Sequence, residues 1–269
     1  MPLRAKPTSV RREQRPRLRS ASPSTSLGTD GEWGDAVSEL IDFETPSPNW
    51  NERQLPVSMV VMHYTGMQSG AAAIERLCDP EAQVSAHYCI EEDGTVHRLV
   101  REDRRAWHAG KGFWRGITDV NSASVGIELV NPGHEFGYVP FPDAQMEALL
   151  PLLAEIVQRW DVPRANVVGH SDIAPMRKED PGELFDWDLL AAHRLALKTP
   201  RVTRPSPFEN DGAFFLALER WGYDISDMAA AMRAFQRRWK PHVLDGQVDG
   251  ECSAMLFSLL LDRDAGKTR

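Results

Sequence analysis

Cysteine is nearly missing from this chain of 269 residues, which holds only Cys78, Cys89 and Cys252. An odd number at such wide spacing excludes a disulfide framework and fits a reducing compartment. Long apolar runs are absent as well, and none approaches the roughly 20 residues needed to cross a bilayer. The residues after Met1 are basic, but Pro, Ser, Thr and Arg stand where an export signal would carry its apolar segment. These absences predict a cytoplasmic protein without a membrane span. Positive charge is concentrated in the first twenty residues, where Arg4, Lys6, Arg11, Arg12, Arg15, Arg17 and Arg19 stand against Glu13 alone. The net charge of −8 therefore belongs to an acidic body. Such a body argues against nucleic acid as a partner, because phosphate contacts dominate that affinity. Internal repeats are lacking too.

What is present is a chain with 42% hydrophobic residues, enough for an ordinary core. Residues 1–32 are polar, rich in Pro, Ser and Arg and without periodicity, and read as a disordered basic tail. The stretch through Trp50 has little pattern and is expected to wrap the surface. From there the pattern changes. Residues 57–64 read as a buried strand, 70–77 as a short helix, and 84–91 with 95–100 as a hairpin turned at Asp93-Gly94. Residues 123–130 and 166–169 are further strands. After Pro142, Met146, Leu149, Leu150, Leu153, Ile156, Val157 and Trp160 keep one helical face apolar, although Pro151 interrupts the run. Residues 183–197 are expected to be helical. The fold class is thus α/β, a mixed central sheet flanked by helices, over 33–198. A proline-rich linker covers 199–208. A small three-helix domain follows at 209–264, its middle helix presenting Met228, Met232, Phe235 and Trp239, with Ser226 as N-cap.

Chemistry concentrates in three places. His63 stands where VSMVVM gives way to HYTG; His170 and Asp180 lie in GHSDIAPMRKEDPG. Both histidines end strands, where open α/β sheets place their ligands, and Asp180 can fold back from the following loop. Two imidazoles and a carboxylate form a common ligand set for a catalytic zinc, with one position left for water. Hydrolysis of an amide also needs a group that moves protons. Glu128 in SVGIELVN is the candidate, because a carboxylate in an apolar strand is expensive without a partner. Strand alternation equally allows Glu128 to be an outward-facing residue. Lys178 could stabilise charge developing on the carbonyl oxygen, an effect of about 3 kcal/mol per donor, or be a solvated loop lysine. Tyr64, Trp107 and His108 are candidate substrate contacts. His87 is expected to pack behind the site, His97 and His193 to be exposed, and His134 has no assigned place.

Five motifs occur in order: HYTG, VSAHYCIEEDGTVHRLV, AWHAG, SVGIELVN and GHSDIAPMRKEDPG. Together they resemble the zinc-dependent N-acetylmuramoyl-L-alanine amidases of the type 2 amidase family, relatives of the peptidoglycan recognition proteins, over about 55–197. The resemblance implies Zn²⁺ on His63, His170 and Asp180, with Glu128 and Lys178 assisting. The bond cut is then the amide between the lactyl group of (anhydro)N-acetylmuramic acid and L-alanine. The partner is an anhydro-muropeptide or peptidoglycan fragment, met in cytoplasmic muropeptide recycling. AMRAFQRRW and VDGECSAMLFSLL in the C-terminal segment resemble a peptidoglycan-binding module. Two alternatives stand beside this reading: a periplasmic amidase acting on intact peptidoglycan, and a recognition module that binds without cleaving.

Overall fold

The computed structural model describes residues 39–201 and 203–268; the expected basic tail lies outside them. Three parallel strands make the centre. Strand β3 (Met59–Tyr64) lies between β7 (Ser124–Leu129) and β8 (Val167–Gly169). Outward from β7 come β4 (Tyr88–Ile90), β5 (Val96–Arg98) and β1 (Phe43–Glu44), completing a six-stranded sheet in the order β1-β5-β4-β7-β3-β8. Only β4 and β5 pair antiparallel within it, through the turn at Gly94, whose φ of 91° suits glycine. The weakly patterned stretch before residue 53 supplies edge strands. Besides β1, β2 (Trp50–Glu52) pairs with β6 (Arg104–Ala106) in a separate two-stranded ribbon.

The two sheet faces are filled differently. Val60 and Met62 of β3, with Val125, Ile127 and Leu129 of β7, pack against a long helix, Asp143–Trp160, through Met146, Leu149, Leu153 and Ile156. That helix is continuous through Pro151. It follows three shorter ones, so the helices number α1 (Gly70–Cys78), α2 (Val120–Ala123), α3 (Gly133–Phe136), α4 (Asp143–Trp160), α5 (His170–Ile173) and α6 (Trp187–Ala192). The helix expected over 183–197 is reduced to α6. Asp186 caps its start by accepting from the Leu189 N–H, and Arg194, at φ 61°, turns the chain out of helix.

On the opposite face, Met59 and Val61 join a core built largely by α7 (Asp211–Trp221), α8 (Met228–Trp239) and α9 (Gly250–Asp264). Asp227, not Ser226, caps α8, its side chain accepting from the Ala230 N–H at 2.9 Å. Met232, Phe235 and Trp239 are buried as expected, whereas Met228 in the first turn is 53% exposed. His97 is buried rather than exposed. Addition of β1 outside β5 brings Thr45 to its Nδ1 (3.1 Å), and Glu91 meets Nε2 at 2.7 Å.

The α8 burial pattern sets a test. Met232→Ala should cost about 2–5 kcal/mol by urea unfolding, as truncations of core side chains do. Met228→Ala should stay within about 0.5 kcal/mol. Equal costs would mean that α8 presents another face.

Candidate functional site

Register brings the site together. Met62 of β3 pairs with Gly169 of β8, so His63 and His170 emerge at neighbouring parallel strand ends. Glu128 of β7 lies opposite His63 and therefore faces the same side of the sheet. Asp180 is drawn back by the Ser171 N–H, which donates to its carbonyl at 2.9 Å. The result is a buried trio. His63 Nδ1 is 2.9 Å from His170 Nδ1, and each is 3.0 Å from Asp180 Oδ2.

The outer hydrogen bonds decide which ring atoms carry protons. His170 Nε2 donates to the Ala109 carbonyl at 3.0 Å, leaving Nδ1 as a lone pair turned to the trio. The second chain of bonds is longer. Ser124 Oγ donates to the Val120 carbonyl (2.5 Å) and so accepts from His108 Nε2 (3.2 Å). His108 Nδ1 can then accept from His63 Nε2 at 3.0 Å, and His63 Nδ1 is also a lone pair. Burial, reinforced by His170, pushes His63 down to about 4, so the ring is neutral at ordinary pH. Three buried acceptors converge here without a donor among them, at a cost of about 1–3 kcal/mol for each one unsatisfied. A cation at their centre removes that cost.

Beside the trio opens a cavity of about 170 Å³, lined among others by His63, Glu128, His170, Lys178 and Asp180. This is room for a scissile group and its neighbours, so the rest of any large substrate must lie along the surface. Glu128 is half-buried, but its Oε2 is shut off from solvent and has no hydrogen-bond partner among the described residues. Burial, and after it the Asp180 charge, drives its carboxyl well above the usual range, with Lys178 opposing. Such a group can carry a proton near neutral pH.

Tyr64, Trp107 and His108, the expected substrate contacts, also line this cavity. Tyr64 is half-buried and its hydroxyl lies 2.9 Å from His134 Nδ1. Trp107 donates from Nε1 to Asn51 Oδ1 at 2.7 Å. His108 is buried, with both ring nitrogens committed to His63 and Ser124. His87 packs behind it, its Nδ1 accepting from the Gly126 N–H at 2.9 Å. Sequence reasoning passed over Arg76, which lines the cavity from α1, and the pairing of His134 with Glu183 (3.1 Å) behind Tyr64. Neither carries a local signal; both follow from how distant loops meet.

A buried His-His-Asp set competent to hold a cation, at the ends of parallel strands beside a protonatable carboxylate, gives a mixed α/β fold with a candidate metal-hydrolase site. Residues 53–183 match the family model described as N-acetylmuramoyl-L-alanine amidase. AmiD of Escherichia coli, an N-acetylmuramoyl-L-alanine amidase, is 34% identical over 231 residues, 76% of this chain and 82% of AmiD. AmpD of Enterobacter cloacae, a 1,6-anhydro-N-acetylmuramyl-L-alanine amidase, is 42% identical over 169 residues, 55% of this chain and 88% of AmpD. Among solved structures, E. coli AmiD in complex with anhydro-N-acetylmuramic acid-L-Ala-D-γ-Glu-L-Lys superposes with a TM-score of 0.70 at 31% identity, covering 79% of this chain and 91% of that one. AmpDH3 of Pseudomonas aeruginosa, in complex with anhydromuramic pentapeptide, gives 0.71 at 31% identity, covering 78% and 92%. The chain belongs to the N-acetylmuramoyl-L-alanine amidase family.

The floor of the site depends on a missing side chain. A Cβ on Gly126 would lie within 2.4 Å of the His108 ring, so Gly126→Ala must displace His108 and loosen His63. Its uptake of a divalent metal, measured against a chromophoric chelator, should be weaker by about 10–100-fold, the usual consequence of disturbing a ligand's outer partner. Unchanged affinity would mean that His108 does not orient His63.

Proposed function

We propose that the chain is a zinc-dependent amidase that hydrolyses the bond between the lactyl group of anhydro-N-acetylmuramic acid and L-alanine of the stem peptide. The observation that carries this reading is the convergence of His63 Nδ1, His170 Nδ1 and Asp180 Oδ2 at 2.9–3.0 Å with their outer partners already assigned. The donor set fits the ion. Tetrahedral zinc with bonds of about 2.0–2.1 Å spaces its ligand atoms roughly 3.3 Å apart, so the trio needs only a small outward adjustment. When bound, the ion supplies Lewis acidity that makes water a competent nucleophile near neutral pH.

The chain's own residues do the rest. His63 and His170 offer lone pairs fixed by His108 and the Ala109 carbonyl, and Asp180 brings the compensating charge. Glu128 takes the proton of the attacking water and returns it to the leaving amine of L-alanine. Lys178, on the cavity wall, faces charge developing on the carbonyl oxygen. Tyr64 and Trp107 border the space left for glycan and peptide. The substrate class is supported by relatives captured with anhydromuramyl peptides. We read 33–198 as the catalytic part, 199–208 as the joining segment and 209–264 as a peptidoglycan-binding-like domain that buttresses the site. A cytoplasmic place of action is supported by the three free thiols, Cys78, Cys89 and Cys252. No helix among the described residues is long and apolar enough to cross a membrane.

Mass spectrometry of products from anhydromuropeptide and from intact sacculi, side by side, tests the function. Release of L-alanine-headed peptides from the first, abolished by EDTA, is expected; activity untouched by a strong chelator would sink the metal reading. Glu128→Gln should retain zinc but lose about 10²–10⁴-fold in kcat, whereas a fall below tenfold would remove it from proton transfer. Metal uptake should weaken as pH falls toward about 4, where His63 gains a proton that competes for its lone pair. Affinity that stays constant from pH 7 down to 4 would contradict His63 as a ligand.

A further inference from the structure

The cleft has a brace supplied from far along the chain. On α8, the Arg237 side chain is only 8% exposed, and its partners sit on the loop that carries Asp180. Nη2 donates to Glu179 Oε1 at 3.1 Å, and Nε faces Glu183 Oε2 at 3.6 Å. One guanidinium thus bridges carboxylates on both sides of Asp180. Glu183 also meets His134 Nε2 at 3.1 Å, and His134 Nδ1 lies 2.9 Å from the hydroxyl of Tyr64, the neighbour of His63. A second tie from the same helical region reaches the other ligand segment. Tyr223 donates to Asp172 Oδ1 at 2.5 Å, and Asp172 Oδ2 accepts from the N–H of Gly169, which precedes His170, at 2.8 Å.

We propose that Arg237 is a positioning residue for the metal site: it braces the 178–183 loop so that Asp180 and Lys178 face the cavity. This makes the C-terminal helices a working part of the centre. The inference rests on the reading of His63, His170 and Asp180 as metal ligands. Its physical basis is charge and shape. Without the guanidinium, Glu179 and Glu183 lose their arginine partner and keep only His134, at 3.8 and 3.1 Å, so the loop that carries Asp180 is held less firmly. The guanidinium holds its donors in one fixed plane, whereas a lysine ammonium is a point charge on a flexible stem and fixes the loop less firmly.

The experiment titrates Zn²⁺ into metal-free protein against a chromophoric chelator, for wild type, Arg237→Met, Arg237→Lys and the Glu179→Gln/Glu183→Gln pair. Melting temperatures of the metal-free forms, kcat and KM are measured alongside. Arg237→Met should bind Zn²⁺ about tenfold or more weakly and lose kcat more than it gains KM, with little change in the metal-free melting temperature. Arg237→Lys should recover part of the affinity. The glutamine pair should weaken Zn²⁺ binding alone and add little on top of Arg237→Met, because both remove one interaction. Wild-type Zn²⁺ affinity in Arg237→Met overturns the proposal, as do losses that simply add. Should Arg237→Met fail to fold, undiminished affinity in the glutamine pair overturns it equally, since those changes remove the same bridge from the loop side. A wild-type chain that takes up no Zn²⁺ would instead bring down the metal reading, and this inference with it.

Discussion

The register of β3 between its two parallel neighbours is the constraint on which the site depends. Met62 opposite Gly169 and His63 opposite Glu128 place an imidazole, a carboxylate and the turn into His170 at one level of the sheet. Side chains alternate along a strand, so a slip of one residue would send His63 into the apolar packing against α4 and Met62 into the cleft. The register is held by burial of Val60, Met62, Val125, Ile127 and Leu129 under α4, all almost fully buried. The hydrophobic effect on one face therefore aims the chemistry on the other.

The opposite face of β7 has the complementary design. Ser124, Gly126 and Glu128 point there: one hydroxyl, one absent side chain and one carboxyl. The missing side chain at Gly126 admits the His108 ring, the hydroxyl at Ser124 anchors that ring, and His108 fixes the tautomer of His63. A run of ordinary apolar residues in those places would fill the space and leave His63 without orientation. Such outer partners distinguish a ligand-ready imidazole from a histidine that merely lies nearby.

Much of this was legible in the sequence, and what was not has a physical reason. The strand that carries His63, the Asp93-Gly94 turn and the apolar stripe of α4 follow from local rules of alternation, turn chemistry and helical period. The trio was legible because His63 and His170 both end strands and Asp180 follows within one loop. Burial of His97 was not, because it depends on β1, two residues with no pattern of their own joining the sheet edge. The role of His108 was hidden for a similar reason: it depends on a glycine eighteen positions away whose message is an empty space. Arg76 and Arg237 look like solvated helix cations until the fold brings the first to the cavity and the second to the loop that carries Asp180.

The C-terminal helices pose the sharpest question of organisation. A unit of about sixty residues rarely sustains a core by itself, and this one shares its core with the catalytic sheet. Phe214, Leu218, Tyr223, Met232, Phe235 and Leu256 belong to one cluster with Met59 and Val61. Arg238 is held between Trp187 of α6 and Trp239 of α8, 4.0 and 4.1 Å from their ring centres, and donates to the Leu197 carbonyl at 2.8 Å. Arg115 crosses the same boundary, donating to the Trp221 carbonyl at 2.9 Å. A tethered anchor would need none of these contacts. Losing the helices would bare the face of β3 that carries His63, so the stability of this segment and the order of the cleft are two expressions of one packing interaction.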